Sequence, residues 1–161
     1  MTKLKVRDLM TTEVLTLRPE DTVKKAAIRL AVDNMSGAPV VDNKNHLLGF
    51  LSEIDILNLI LKSQTELDKE NVVDRLLDYS MDSTLSNDDY LKEISDKISN
   101  TSVSEIMVRS VMTTTPDAPI IEVLRTMLSL RINRIPVLEK GVLVGDISRG
   151  DIIFALYKKK A

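Results

Sequence analysis

The residues best suited to chemistry sit in two copies of one short pattern, Gly-x-apolar-Ser-x-x-Asp. They are Gly49-Phe50-Leu51-Ser52-Glu53-Ile54-Asp55 and Gly145-Asp146-Ile147-Ser148-Arg149-Gly150-Asp151. Ser-x-x-Asp is close to a capping box, in which the hydroxyl serves backbone N–H groups at a helix start and the acid reaches back. The same residues suit a phosphorylated ligand. Free N–H groups and the helix dipole attract phosphate, with serine as a further donor. Glycine three residues earlier lets the strand end be approached closely, and aspartate accepts from the vicinal hydroxyls of a ribose. Capping and nucleotide binding both stay open here, and both require a strand that runs directly into a helix.

The flanking elements meet that requirement twice. Val14 to Leu17 is a short extended stretch leading to Pro19-Glu20-Asp21-Thr22, whose last two residues are N-caps for a helix with the stripe Val23, Ala26, Ala27, Leu30 and Ala31. Gly37 is expected to stop that helix. Ala38 to Val41 and Leu47 to Leu51 read as strands around the turn cluster Asp42-Asn43-Lys44-Asn45, and Ser52 starts a helix to about Lys62. Further along, Asp117 and Pro119 open a helix with the stripe Ile120, Val123, Leu124, Met127 and Leu128. Ile135 to Leu138 and Val142 to Ile147 are strands around Glu139-Lys140-Gly141, and Ser148 starts the last helix, to about Tyr157. The segments Val6 to Leu57 and Val103 to Ile153 are thus diverged copies of one β-α-β-β-α unit. Met10 falls on Met107, Pro19 on Pro116 and Pro39 on Pro136; after a one-residue deletion Gly49 falls on Gly145, Ser52 on Ser148 and Asp55 on Asp151.

A repeat of about 97 residues exceeds the roughly 20–50 of common solenoids. The expected architecture is therefore α/β, with two pseudo-symmetric units packed sheet to sheet: repeat 1 over 1–62, repeat 2 over 103–161. Each alone is near the lower size limit for a stable core, so pairing serves stability. The connection 63–102 is acidic and rich in Ser and Asp, with Val72, Val73, Leu76, Leu77, Leu91, Ile94 and Ile98 at helical spacing. It reads as one or two amphipathic helices, or else as a mobile insert, since a long structureless loop is unusual in a compact domain.

Composition narrows the function classes. A net charge of -2 and a pI near 5.5 lack the basic footprint of a nucleic-acid binder, so nucleic acid is not the expected partner. Lys158-Lys159-Lys160 reads as a solvated terminus. No apolar run reaches the roughly 18 residues of a membrane span, and no signal segment opens the chain. Without cysteine there is neither a disulfide framework nor a thiol nucleophile, and a cytoplasmic location is expected. The lone His46 lies in a turn with no second His, so it is neither a metal site nor half of a catalytic pair. Met35, Met81, Met107 and Met127 read as core or interface filler, and Glu20, Asp21 and Asp117 as capping carboxylates. No nucleophile with a general base is identifiable, so the chain is not expected to be an enzyme.

The ordered set resembles a tandem pair of cystathionine-β-synthase (CBS) domains, the Bateman module. The residues that carry the resemblance are Leu9-Met10-Thr11 and Ile106-Met107, Thr16-x-x-Pro19 and Thr113-x-x-Pro116, Gly37-Ala38-Pro39-Val40-Val41-Asp42 and Arg134-Ile135-Pro136-Val137-Leu138-Glu139, and the two Ser-x-x-Asp ends. The resemblance implies a stand-alone regulatory module that binds AMP, ADP, ATP or S-adenosylmethionine in clefts between the repeats and signals to an effector protein. By that analogy Asp55 and Asp151 hold ribose, and Ser52 and Ser148 the first phosphate. Main chain near Val14, Thr16 and Val111, and around Ala38-Pro39 and Ile135-Pro136, edges the adenine.

The family often places arginine immediately before the ribose aspartate, where this chain has Ile54 and Gly150, which removes a phosphate contact. Arg131, Arg134 and Arg149 surround the second site, where repeat 1 has Asn34, Gly37 and Glu53. Guanidinium forks suit phosphate, which favours the Ser148/Asp151 site for a charged nucleotide; a solvated face is the other reading of these arginines. The competing function is an assembly module that keeps the repeat geometry and binds nothing. A homodimer is expected in either case, because a leftover apolar helical face needs cover and two-fold dimers are the commonest assembly.

Overall fold

A computed structural model of the chain describes residues 3–67 and 89–158. Its elements, in chain order, are α1 (Val6–Leu9), α2 (Val23–Val32), β1 (Gly37–Val41), β2 (Leu47–Ser52), α3 (Glu53–Leu67), α4 (Asp89–Ser99), α5 (Val103–Ile106), α6 (Ile120–Leu130), β3 (Arg134–Glu139), β4 (Val142–Ser148) and α7 (Arg149–Lys158). Each repeat contributes one two-stranded sheet, β1 with β2 and β3 with β4. Among the described residues no helix is long and apolar enough to cross a membrane. Val72, Val73, Leu76, Leu77, Met81, Lys159 and Lys160 lie outside the described residues.

The hairpins form where alternation and turn chemistry agree. β3 and β4 are antiparallel, with Arg134 opposite Ser148, Ile135 opposite Ile147 and Pro136 opposite Asp146. Lys140 and Gly141 both have positive φ, 53° and 83°, as a two-residue hairpin turn of the I′ kind demands. In the other hairpin the Asp42 carboxylate accepts from the amides of Lys44 and His46, both at 2.9 Å. The His46 bond is the main reason its carboxyl lies below the usual range. The extended stretches before α2 and α6 contribute only single parallel bridges, Leu17 to Val40 and Thr114 to Val137. The first strand expected in each repeat is therefore a bridge.

Helix boundaries follow their caps. Thr22 caps α2, its hydroxyl accepting from the Lys25 amide at 3.1 Å. Asp21 turns back instead, accepting from the Arg18 amide at 2.8 Å and pairing with Lys25 Nζ at 3.1 Å. Thr22→Ala is expected to lower unfolding stability by about 1 kcal/mol in urea melts; an unchanged midpoint would show the cap to be dispensable. Gly37 does not stop α2: the helix ends at Val32, Asn34 takes the left-handed turn (φ 53°), and Gly37 opens β1. Arg131 makes the same turn after α6 (φ 54°). Asp117 is not a cap, since Pro119 precedes α6 and the Asp117 carboxylate binds Arg7 Nη2 at 2.7 Å and Nε at 3.1 Å. That contact holds its carboxyl below the ordinary value.

The described chain gathers into two compact bodies, each mixing the repeats. One, the Ser148 body, takes the described parts of 1–16, 41–48 and 109–161; the other, the Ser52 body, takes those of 17–40 and 49–108. In the Ser148 body the opening segment of repeat 1 docks on repeat 2: the Val6 and Arg7 amides donate to Ala118 and Pro116 carbonyls, each at 2.9 Å. Its core is Val6, Val123, Met127, Ile135, Val137 and Ile147, all at most 3% exposed. In the Ser52 body the opening segment of repeat 2 docks on repeat 1, with Val103 and Ser104 amides donating to Asp21 and Pro19 carbonyls at 2.8 and 3.0 Å. There α4 packs against α2 and α3, with Ile94 buried. Met127 and Met107 are buried as expected of filler, whereas the last stripe residues Ala31 and Leu128 are exposed.

Candidate ligand-binding sites

Both Ser-x-x-Asp segments straddle a strand end and a helix start. In the Ser148 body the Ser148 amide donates to Asp151 Oδ2 at 2.9 Å and the Asp151 amide to Ser148 Oγ at 3.1 Å. In the Ser52 body the Ser52 amide and hydroxyl reach Asp55 Oδ2 at 2.8 and 3.0 Å, and the Asp55 amide reaches Ser52 Oγ at 3.3 Å. The capping box is thus present twice. It fixes each carboxylate and hydroxyl half-buried at the head of a helix, where the dipole favours anions.

The glycine of the pattern has a definite neighbour in each body. A Cβ on Gly145 would stand 2.6 Å from the Thr11 carbonyl oxygen and 3.2 Å from Met10 Sδ; one on Gly49 would stand 2.7 Å from the Val108 carbonyl oxygen and 2.8 Å from Met107 Sδ. What approaches the strand is the incoming segment of the other repeat. Thr11 and Asp146 exchange two backbone hydrogen bonds of 2.8 and 2.9 Å, and so do Val108 and Phe50.

Beyond this frame the bodies differ. On the Ser148 face, Arg134 Nη1 grips both carboxylate oxygens of Asp146 at 2.8 Å. Asp146 is 3% exposed, and burial pushes its carboxyl above the usual range, with Arg134 pulling it down and Asp151 adding to the rise. The Arg134 charge is therefore offset at short range. Arg149 Nε donates to the Ile132 carbonyl at 3.2 Å, and Arg131 is exposed. The Thr11 hydroxyl donates to Asp151 Oδ1 at 3.1 Å. On the Ser52 face the place of the Arg134–Asp146 pair is taken by Gly37 and Phe50, the ring lying where a side chain at 37 would stand, with Cε1 2.6 Å from that Cβ position.

The structure groups Ser148, Asp151, Arg134, Ile135, Pro136, Val111, Arg149, Val14 and Thr16 in one body, and Ser52, Asp55, Ala38 and Pro39 in the other. Ile135, Pro136, Ala38 and Pro39 are buried, and the Pro136 and Pro39 carbonyls accept from Thr114 and Leu17 amides at 3.0 and 2.9 Å. Val14, Thr16 and Val111 are half-buried. Sequence reasoning passed over Thr11, Asp146 and Phe50. The signal for Asp146 was there, an acid two residues before Ser148 on the strand and hence on its face, with Arg134 available across the hairpin. Among the described residues no group of three or more acids or histidines could hold a metal ion.

Comparison with known proteins gives the setting. The family model described as CBS domain matches residues 6–62 and 103–158. An uncharacterized protein of Methanocaldococcus jannaschii is 29% identical over 155 residues, 94% of this chain and 90% of its own. A solved structure of CBSX2, a CBS-pair protein of Arabidopsis thaliana, in complex with AMP has a TM-score of 0.70 at 22% identity, covering 98% of each chain. The CBS domain pair of protein MJ0100, in complex with 5′-methylthioadenosine and S-adenosyl-L-methionine, has a TM-score of 0.64 at 21% identity, covering 99% of this chain and 100% of that one. At those identities the likeness to the two structures is one of fold.

Proposed function

This chain belongs to the CBS domain family, and from that membership we propose that it is a regulatory module that binds an adenosyl ligand and passes the resulting change to a partner protein. The observation that carries the reading is the doubled helix-head geometry, in which a fixed aspartate and serine stand where strand meets helix. Asp55 and Asp151 serve ribose hydroxyls, and Ser52 and Ser148 serve the first phosphate. Main chain around Ala38-Pro39 lines the base at the Asp55 site, and main chain around Ile135-Pro136, with Val14, Thr16 and Val111, lines it at the Asp151 site. AMP in one fold neighbour and S-adenosylmethionine with methylthioadenosine in another support the ligand class. Regulation of this kind needs a ligand that binds two states unequally, typically by about 1–3 kcal/mol.

Titration calorimetry with AMP, ADP, ATP and S-adenosylmethionine tests the reading, on wild type and on Asp55→Ala and Asp151→Ala. Saturable heat is expected, lost site by site in the variants. A thermal shift should accompany it, since a ligand at a hundred times Kd adds about 2.7 kcal/mol. No heat and no shift with any of the four, from folded protein, would overturn it in favour of an assembly module. That second reading is favoured by Ile54 and Gly150 standing in place of arginine. We further place the module in the cytoplasm as a homodimer. Ile54 and Leu57 on α3 in one body, and Phe154 and Tyr157 on α7 in the other, are all about 60% exposed or more, an apolar helix face on each body that a second copy would cover. Light scattering at micromolar concentration should give twice the chain mass; monomer alone would refute the dimer.

A further inference from the structure

We propose that the residue paired with the strand end, Thr11 in one body and Val108 in the other, sets the order in which the two helix-head sites fill, so that the Asp55 site binds its nucleoside before the Asp151 site. The inference rests on the adenosyl reading above and adds to it which site works and which residue decides.

A ribose is held by an aspartate through oxygens that accept from its hydroxyls. In both bodies the capping box uses Oδ2, leaving Oδ1 as the acceptor that faces a ligand. Asp151 Oδ1 already accepts one hydrogen bond, because the Thr11 hydroxyl donates to it at 3.1 Å. Asp55 Oδ1 has no such donor among the described residues. The cause is legible in the ladder. Thr11 pairs with Asp146 through two backbone hydrogen bonds, and Val108 pairs with Phe50 through the same two, so positions 11 and 108 stand alike toward their carboxylates. One carries a hydroxyl and the other a methyl. A ribose arriving at Asp151 competes with a donor that already shares the charge of that oxygen, whereas one arriving at Asp55 meets an oxygen with no such competitor.

The sheet faces point the same way. Phe50 lies two residues before Ser52 on β2, hence on the same face, and its half-buried ring gives a purine an apolar surface to lie against. The corresponding place beside Ser148 is filled by the Arg134–Asp146 ion pair, in which the guanidinium meets a carboxylate before it can meet a phosphate. The arginine content around repeat 2 thus adds less phosphate affinity than its count implies.

The test is calorimetric titration of the full chain with AMP and, separately, with adenosine, which lacks the phosphate. Two classes of site are expected, the tighter lost in Asp55→Asn and the weaker in Asp151→Asn, both substitutions able to keep the cap. Thr11→Val should strengthen the weaker site about fivefold and Val108→Thr weaken the tighter one about fivefold, the size of one net hydrogen bond. The factors should be equal for AMP and adenosine, because the competition is at the ribose. Circular dichroism melts of each variant guard against misfolding. A tighter site that disappears in Asp151→Asn, or a Thr11→Val protein whose weaker site is unchanged, overturns the order while leaving the adenosyl reading intact. A wild-type protein that takes up neither AMP nor adenosine overturns both.

Discussion

Arg134→Ala is expected to cost about 3 kcal/mol of unfolding free energy at neutral pH, and most of that loss should vanish as the solution is acidified towards pH 4. Asp146 is 3% exposed, and its short hydrogen bonds to a side chain are to Arg134, both at 2.8 Å. Removing one partner of a buried pair leaves an uncompensated charge, typically worth about 3–5 kcal/mol; the lower end applies because the Arg134 side chain is 32% exposed. The pH dependence has a definite sign. Burial already holds the folded-state pKa of Asp146 above that of the unfolded chain. Below the unfolded value, about 3.9, both states are protonated and the group costs nothing. As pH rises, the unfolded chain ionises first, so stability is lost until the folded-state value is passed. Without Arg134 the folded value climbs further and the losing window widens. Urea melts of wild type and variant from pH 4 to 7 read this directly. An equal gap at both ends would mean that lost packing, not charge, makes the difference. The double variant Arg134→Met/Asp146→Leu should recover much of the stability, since replacing a whole buried pair by apolar groups is often neutral.

How far the sequence was legible depends on the range over which each feature is encoded. The stripes Val23, Ala26, Leu30 and Val123, Met127 predicted α2 and α6 because periodicity is a local property, and their buried members are those residues. The hairpins were legible for the same reason, with turn residues between apolar runs. The four-residue helices α1 and α5 were not, being too short for a period. The local signal for α5 that sequence reasoning missed is Ser102-x-x-Glu105, a capping box in which the Ser102 amide donates to Glu105 Oε2 at 2.9 Å. The expected first strands shrank to bridges, because one parallel pairing is all that each stretch makes with its sheet. What no local pattern carries is the exchange of segments that builds each body. Arg7 finds Asp117 110 residues away, and Thr11 finds Asp151 140 residues away. The site divides along the same line. Ser and Asp at i and i+3 were readable, whereas the hydroxyl that competes for Asp151, and the aspartate that offsets Arg134, are tertiary facts.

The glycine of the repeated pattern makes that exchange testable. Gly145→Ala is expected to destabilise the protein by about 3 kcal/mol, a large effect for one methyl group. The new Cβ would stand 2.6 Å from the Thr11 carbonyl oxygen, a backbone atom that cannot swing aside as a side-chain tip can. Overpacking of this kind typically costs about 1–3 kcal/mol. Moving Thr11 away also stretches the two backbone hydrogen bonds it shares with Asp146, each worth about 1 kcal/mol net. The segment that would lift is the one that carries Val6 into the core of the Ser148 body and Thr11 to Asp151. Hydrogen exchange in the variant should therefore lose protection first at the Thr11 and Asp146 amides. Gly150→Ala, five residues on, is the control. Its Cβ would meet nothing nearer than Ser148 Oγ at 3.6 Å, an ordinary contact. In the first turn of α7 it should be neutral or stabilising by up to about 1 kcal/mol, because alanine restricts the unfolded chain more than glycine does. If both substitutions cost the same, helix and strand propensities suffice and the close approach of the N-terminal segment is not what position 145 is selected for. If only Gly145→Ala is costly, the glycine of the pattern belongs to the docking of one repeat's segment on the other, and the serine and aspartate alone are left to serve a ligand.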